Sequence, residues 1–320
     1  MKGSLGRRIG GRAAGALLTV LVASVVIYGA LRLVPGDPVL TLSAGRRLTP
    51  DQIEALRQRL GLDRGFVQGY LSWAGGALRL DLGTSLTYQT DVSALIGARL
   101  KVSGLLLAYA ATLAVVLGFG AALAAAVKGG AVNRAAGVAA AVTTATPPFV
   151  AAIILLSVFA VGLGWFPATG AGSGSLLDRL WHLTLPAVAM ALAAFGVLAR
   201  VGHAALAEAM GREHVETALS RGVGRSAVIR RHVVRNALTP LLTVAGVLVA
   251  GLFVGTAVVE SAFGLDGVGS LLVASVSRRD FPVVQGVALI AVVLFVAVNT
   301  LVDLLVPLID PRVKAGRADA

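Results

Sequence analysis

Residues 102–127 read VSGLLLAYAATLAVVLGFGAALAAAV, a run without any charged side chain between Lys101 and Lys128. A helix that crosses the hydrocarbon core of a bilayer, about 30 Å thick, needs about 20 predominantly apolar residues. The run is longer than this minimum. It therefore predicts a membrane-spanning helix, and the rest of the chain can be searched for others by the same criterion.

Five more charge-free windows meet this criterion. The first is longer than the apolar region of about 7–15 residues in a secretory signal peptide, and Arg32 precedes any plausible cleavage site, so we interpret it as a retained helix. The third continues uncharged to Leu177, but a turn at 165–167 and a Gly/Ser-rich run should end its helix near Gly164. Six spans are therefore expected: Ala13–Leu31, Val102–Val127, Ala135 to about Gly164, Leu180–Ala199, Asn236–Val259 and Phe281–Val302.

The composition of the whole chain is that of a membrane protein. Of 320 residues, 57% are hydrophobic and only 14% are charged, whereas soluble domains are about half apolar and a quarter charged. These figures exclude a disordered chain, and the lack of cysteine excludes a disulfide-stapled module, cysteine zinc fingers and thiol chemistry. The net charge of +12 then raises the question of which side of the membrane carries it.

The Lys/Arg bias of the loops predicts the orientation. With the N-terminus inside, segments 1–12, 128–134, 200–235 and 303 onward carry 16 Lys/Arg and five acidic residues, leaving out Asp303 at the membrane edge. The outside segments hold 12 Lys/Arg and 10 acidic residues. Because positive charge accumulates on the cytoplasmic side, both termini are expected in the cytoplasm, and no nucleic-acid partner is needed to explain the charge.

Two longer polar segments separate the spans. The outside segment begins with a turn at 35–38, Pro-Gly-Asp-Pro, and then predicts a small amphipathic helix that starts at Thr49-Pro50-Asp51 and stops at Gly61. Ile53, Leu56 and Leu60 lie at helical spacing within it. The basic inside segment, 200–235, is long enough for two short helices broken near Gly222 to Gly224. We expect residues 1–98 to form an N-terminal transmembrane helix plus an extracytoplasmic segment, and residues 99–320 a five-helix core.

The sequence contains no energy source of its own. It has no phosphate-binding loop that ends in Gly-Lys-Ser/Thr, and the spans contain no charged residue that could relay protons near the bilayer midplane. Its four histidines lack metal-ligand spacing, and no Gly-x-Ser-x-Gly elbow supports a membrane enzyme. No cofactor or metal is expected in this chain. A self-contained secondary transporter or channel stays open as an alternative at this point.

The inside segment carries the most specific pattern. It reads HVETALSRG over 214–222 and RHVVRNALTP over 231–240. This resembles the coupling loop of ABC importer permeases, in the form used by the B-type subunit of the dipeptide/oligopeptide/nickel transport family. The resemblance covers nearly the whole chain, through the stretches at 31–38, 81–85, 147–149, 164–167, 182–187, 260–269, 279–286, 299–303 and 310–312.

The resemblance implies an all-α integral membrane fold, the six-helix type I (MetI-like) permease bundle with an extracytoplasmic insertion after helix 1, in a bacterial plasma (inner) membrane. It implies four kinds of partner: a second homologous permease subunit, two ABC ATPase subunits that bind ATP and Mg, an extracytoplasmic substrate-binding protein and membrane lipid. Peptides are the leading substrate class. Nickel chelates, glycosides and other small solutes stay open.

The coupling role falls on residues of the inside loop. A short helix from about Arg212 to Arg221 would dock on the ATPase, Gly222 would permit a sharp turn, and a second helix with Arg230, Arg231 and Arg235 would lie along the headgroups. A purely interfacial basic helix is the alternative. Gly251 and Gly255 in the fifth span are expected to allow close helix packing, or to occur by chance. By resemblance, the coupling positions are His214, Glu216, Thr217, Ala218, Arg221, Gly222, Arg231, Asn236 and Pro240.

Overall fold

The computed structural model describes residues 2–32, 49–52, 54 and 65–309 of the chain. Within these ranges the protein is helical, and a single bridge between Thr84 and Asp91 is the one β-type pairing. Two of the helices continue into turns of π-helix, over Leu156–Gly162 and Ile229–Val233. The described helices are α1 (Lys2–Arg32), α2 (Phe66–Ala77), α3 (Val92–Lys128), α4 (Gly130–Ala145), α5 (Pro148–Leu155), α6 (Leu176–Met210), α7 (Glu213–Ser220), α8 (Arg225–Val228), α9 (Val234–Ala262), α10 (Val268–Ser277) and α11 (Phe281–Ile309).

Five of the predicted spans are confirmed as single helices long and apolar enough to cross a membrane, within the described residues. They cover Gly10–Ala30, Val92–Lys128, Leu176–Met210, Arg225–Ala262 and Phe281–Val302. Most of these helices are longer than the charge-free windows. Charged residues are excluded from hydrocarbon but not from helices, so a window marks the membrane-embedded part and leaves the helix ends undetermined.

The third span was predicted as one helix, and this is wrong. Its residues form two helices, Gly130–Ala145 and Pro148–Gly162, that meet at 102°. Thr146 between them is extended, with φ −87° and ψ 115°. The cause is the Pro147-Pro148 pair: a proline disfavours the helical conformation of the residue before it, and Pro148 starts the second helix at its first turn. Among the described residues, the candidate spans number six when this bent pair is taken as one.

One compact unit contains residues 1–101 and 270–296. In it, α2 packs on α1 through the ring of Tyr28, which meets Phe66, Tyr70 and Trp73 at centroid distances of 5.6–5.8 Å. The Ser24 and Tyr70 hydroxyls are 2.9 Å apart and share a hydrogen bond. Aromatic contacts therefore attach α2 to the last two turns of the first span's apolar stretch.

The same unit contains a loop held by a buried carboxylate. Asp280 is fully buried and accepts hydrogen bonds from the Ser85 hydroxyl at 2.5 Å and from the Leu86 and Thr87 amides at 3.1 and 3.0 Å. Three donors to one carboxylate compensate the cost of removing it from water. The stretches at 81–85 and 279–286, noted separately in the sequence, thus form one structural feature.

The second unit contains residues 102–269 and 297–320. Its core is centred on α6, whose buried positions are mainly Ala, Gly and Leu. At Gly196, a Cβ would lie 2.5 Å from the Ala140 carbonyl oxygen of α4, so only glycine allows this approach. Close packing at Gly251 and Gly255 is not found among the described residues of this chain, since no atom lies within 4 Å of a Cβ placed at either position.

Several predicted features of the outside segment lie beyond the described residues, namely the turn at 35–38 and Ile53, Leu56, Leu60 and Gly61. The start of the predicted helix is described and confirmed: residues 50–52 are helical. The Thr49 amide donates to Gln52 Oε1 at 3.0 Å, and the Gln52 amide donates to Thr49 Oγ1 at 3.4 Å. This reciprocal pair is a capping box, which satisfies two amides that a helix start leaves without partners.

Candidate functional site

The inside loop forms the predicted short helix. The prediction of a helix from about Arg212 to Arg221 is confirmed within one residue, since α7 runs from Glu213 to Ser220 with these two arginines as its caps. Glu213 and Glu216 lie in the first turn, where carboxylates interact favourably with the positive end of the helix dipole. The Thr217 hydroxyl donates to the Glu213 carbonyl at 2.9 Å, which points this side chain along its own helix.

The C-terminus of α7 is closed by a Schellman motif. Gly222 has φ +79°, its amide donates to the Leu219 carbonyl at 3.0 Å, and the Val223 amide donates to the Ala218 carbonyl at 3.1 Å. This pair of bonds defines the motif, and the left-handed residue in it is usually glycine because a Cβ is unfavourable there. The predicted sharp turn at Gly222 is confirmed, together with its physical reason.

One face of α7 anchors it and the other is exposed. Val215 is buried, and Ala218 is half-buried against the same hydrophobic core. His214, Glu216, Thr217 and Arg221 are exposed, and so are the apolar side chains of Leu219 and Val223, at 44% and 41%. The helix is therefore fixed to the body of its unit and has an exposed surface of mixed polar and apolar side chains.

The expected second helix of the loop is not a separate element. From Arg225 the chain forms α8, the π-helical turn and α9 as one continuous helix that ends at Ala262. The prediction of two short helices is therefore wrong in its second half. The span was expected to start at Asn236 because Arg230, Arg231 and Arg235 precede it. Charged residues limit the part of a helix that lies in hydrocarbon, but they do not end the helix itself.

The remaining predicted positions lie on this continuous helix. The His232 ring lies 6.0 Å from the ring of His214 on α7, and the Asn236 side chain donates from Nδ2 to the His232 carbonyl at 2.8 Å. Pro240 lies inside α9, where its missing N–H leaves the Asn236 carbonyl without its usual helical donor. Arg231 is exposed. The structure thus brings His214 of α7 next to His232, and Asn236 lies one turn further along the same helix as His232.

Two arginines of the loop contact the ends of neighbouring helices. Arg225 Nη2 lies 3.5 Å from the Val127 carbonyl oxygen, in the last turn of α3, where a cation is favourable. Arg212 pairs with Glu208 at 2.9 Å, with both side chains largely exposed, so this ion pair adds little stability. The loop is held mainly by its buried apolar side chains.

Sequence reasoning missed the anchors of the loop. Val215, Val228 and Val233 are each at most 3% exposed and join the core that also contains Leu206 and Ala237. A signal existed for the first, because Val215 lies three residues before Ala218, on the same helical face. The short helical pieces offered too few positions for a clear period.

Sequence reasoning also missed a buried carboxylate at the end of the fifth span. Glu260 is fully buried, and its Oε1 accepts a hydrogen bond from the Ser103 hydroxyl at 2.6 Å. The Ser103 oxygen in turn accepts from the Val268 amide at 2.8 Å. Because the search windows ended at charged residues, Glu260 was counted with the outside loop. Gly267, in the turn that follows α9, lies directly against this carboxylate.

In the part of the chain that the structure describes, no three His, Cys, Asp or Glu side chains form a group that could hold a metal ion. The candidate site is described by its geometry alone. It consists of an anchored short helix with an exposed face, joined at both ends to long helices.

Two family models match the chain. The family described as binding-protein-dependent transport system inner membrane component matches residues 95–315, and the N-terminal family of such membrane components matches residues 6–100. A putative peptide transport system permease protein of Brucella abortus (strain 2308) is 38% identical over 307 residues, 95% of this chain and 97% of the relative.

Two further relatives have similar coverage. The di/tripeptide transport system permease protein of Pseudomonas aeruginosa (strain UCBPP-PA14) is 32% identical over 93% of this chain and 96% of its own length. The glutathione transport system permease protein of Pectobacterium atrosepticum is 33% identical over 95% and 97%. The chain therefore belongs to the family of inner membrane components of binding-protein-dependent transport systems, the permease subunits of ABC importers.

Proposed function

We propose that this chain and a second, homologous permease subunit form the translocation path of a peptide importer. Two ABC ATPase subunits, which bind ATP and Mg, supply the energy, and an extracytoplasmic substrate-binding protein delivers the solute. The observation that carries this proposal is the likeness along nearly the whole chain to permeases named for peptide, di/tripeptide and glutathione transport. Peptides are accordingly preferred over nickel chelates and glycosides as the substrate class.

The proposed topology places both termini in the cytoplasm and α7 on the cytoplasmic side. The excess of Lys/Arg over acidic residues in segments 1–12, 128–134, 200–235 and 303 onward supports this orientation. Residues 1–98 then supply one transmembrane helix and an extracytoplasmic segment, and residues 99–320 supply the five-helix permease core.

The coupling step is assigned to α7. This helix follows α6 after only Gly211 and Arg212, and four residues separate it from the continuous helix that begins at Arg225. A displacement of α7 by an ATPase is therefore transmitted to the ends of two membrane-spanning helices at once. Val215 makes the transmission stiff, because a buried side chain in a packed core cannot shift without moving its neighbours.

The residues of the loop divide into three roles in this proposal. Glu216, Thr217 and Arg221 contact the ATPase together with His214, since these side chains are exposed on α7. Ala218 holds the helix against its core, and Gly222 allows the turn that ends it. Arg231, Asn236 and Pro240 belong to the helix that receives the displacement.

The chain has no cysteine, so a single introduced thiol tests the docking directly. Ser220→Cys places a thiol on an exposed position of α7, and we expect it to crosslink to an ATPase subunit in membranes that contain the assembled complex. The matched control is Ala94→Cys, exposed in the first turn of α3 and on the opposite side of the membrane in the proposed topology. Capture of lipid or a second copy of this chain alone, with the complex intact, would contradict the proposal and favour a self-powered transporter.

A further inference from the structure

The helix α2 combines two properties that do not suit a helix in the aqueous phase. Residues 65–78, fourteen positions between Arg64 and Arg79, carry no charged side chain. A helix of this length is too short to span a bilayer, and charge-free segments of about 10–14 residues are typical of core helices or of interfacial and re-entrant segments. The contacts of α2 distinguish between these possibilities.

One face of α2 is attached to α1 inside the first membrane span. Tyr70 shares a hydrogen bond with Ser24, and Phe66, Tyr70 and Trp73 surround Tyr28. The apolar span of α1 covers Gly10–Ala30, so both of its partner residues lie within that span.

The position of Ser24 sets the depth of the contact. Ser24 precedes Ala30, the last residue of the span, by six residues, which at 1.5 Å per residue is about 9 Å along the helix axis. The Tyr70 hydroxyl reaches this level. A helix attached there cannot remain in the aqueous phase while α1 spans the membrane.

The neighbouring face of α2 is apolar and uncovered, beside the exposed polar side chains of Gln68 and Ser72. Val67 is 68% exposed and Leu71 is 63% exposed, four residues apart and so on the same side of the helix. Phe66, at the edge of this face, is 44% exposed. In water, such a surface would cost free energy in proportion to its area. In the acyl region beside a membrane span, the same surface is matched to its surroundings.

We propose that α2 is a lipid-embedded helix that lies in the leaflet at the C-terminal end of α1, with Val67 and Leu71 against lipid acyl chains and the rings of Tyr70 and Trp73 on the hydrocarbon side of the headgroup boundary. Amphipathic aromatic rings concentrate at that depth. The occupant of the exposed face is therefore the bilayer itself. In the proposed topology this is the outer leaflet, so part of the segment at 35–98 is membrane-bound.

The test uses single cysteines in the assembled complex, reconstituted in lipid nanodiscs so that both membrane faces are open to reagents. Leu71→Cys and Val67→Cys probe the exposed face, and Ala94→Cys is the matched exposed control in the same unit. A charged, water-soluble maleimide should label the two α2 variants about tenfold more slowly than the control, because apolar surroundings suppress the reactive thiolate. A fluorophore attached through an uncharged reagent should then be quenched by nitroxides on the lipid acyl chains.

Two results would overturn the proposal. Labelling of Leu71→Cys and Val67→Cys at the rate of Ala94→Cys would place this face of α2 in water. Slow labelling without quenching by acyl-chain nitroxides would show that a protein subunit covers the face instead. Slow labelling with acyl-chain quenching at both positions supports the lipid-embedded helix.

Discussion

At the scale of single residues, Gly222 shows how one backbone conformation connects sequence to the proposed coupling. Its φ of +79° lies in the left-handed region, and the two hydrogen bonds of the Schellman motif depend on it. No atom lies within 4 Å of the place where a Cβ would be. A substitution at Gly222 therefore acts through backbone strain alone, without a steric clash.

We predict that Gly222→Val uncouples transport. A β-branched residue in the left-handed region costs about 1–3 kcal/mol, so the turn after α7 should open and its docking face should be displaced. ATP-dependent uptake in proteoliposomes should fall about tenfold or more, while the amount of inserted protein stays unchanged. Gly222→Asn is the control, because asparagine tolerates this conformation, and it should retain most of the uptake. Normal uptake by Gly222→Val would contradict the coupling role.

Asp280 and Glu260 illustrate a different kind of residue effect. Both are fully buried carboxylates, and each organises a chain segment that is distant in sequence, Asp280 through Ser85 and Glu260 through Ser103. Replacing such a buried carboxylate lowers the free energy of unfolding more than replacing an exposed one, because its hydrogen-bond donors are left without an acceptor. Their importance follows from partners that only the folded chain brings near.

At the scale of elements, close helix approach depends on particular glycines. Gly196 on α6 faces α4, and a Cβ there would crowd Thr143 Oγ1 at 2.6 Å and the Ala140 carbonyl at 2.5 Å. Gly97 on α3, in contrast, is exposed and has no atom within 4 Å of a Cβ position. The two glycines look equivalent in the sequence, since both lie inside helices, but their surroundings differ.

This contrast yields a matched pair of substitutions. Gly196→Ala should destabilise the purified protein by about 1–3 kcal/mol, because overpacking forces α4 and α6 apart. Gly97→Ala should be neutral or stabilise by up to about 1 kcal/mol, since alanine is the better helix former. Thermal unfolding of both variants in the same detergent measures the difference. Equal unfolding temperatures for the two variants would refute the close packing of α4 on α6.

At the scale of the whole molecule, the asymmetric distribution of Lys/Arg predicts the orientation in the membrane. Because 16 of the 28 Lys/Arg occur in the four segments proposed as cytoplasmic, retaining them on that side is favoured during insertion. The two ends of α3 should therefore face opposite compartments, with Val92 outside and Lys128 inside.

Single cysteines can measure this orientation in intact cells. Ala94→Cys should react with a membrane-impermeant maleimide added from outside, whereas Ser226→Cys, exposed in α8, should react only after the cells are opened. Both positions are exposed in the structure, so a difference in labelling reports their compartment and not their burial. Outside labelling of Ser226→Cys in sealed cells would reverse the proposed topology.

Features that depend on local physics could be predicted from the amino-acid sequence. Charge-free length identified five single-helix spans because the bilayer excludes charge, and Gly222 marked the end of α7 because only the local backbone decides a helix cap. The whole-chain pattern of motifs identified the family. The break at Pro147 was also local in cause, but a window based on charge alone could not detect it.

The tertiary structure alone decided which side chains meet. Val215 is buried and anchors α7, and Glu260 is buried and accepts a hydrogen bond. Gly196 allows a close helix contact, whereas no atom lies within 4 Å of a Cβ placed at Gly251. Each of these outcomes depends on a partner far away in the chain, and hydrophobic period or charge spacing contains no information about that partner. Long-range packing therefore gives different surroundings to residues that look equivalent in the sequence.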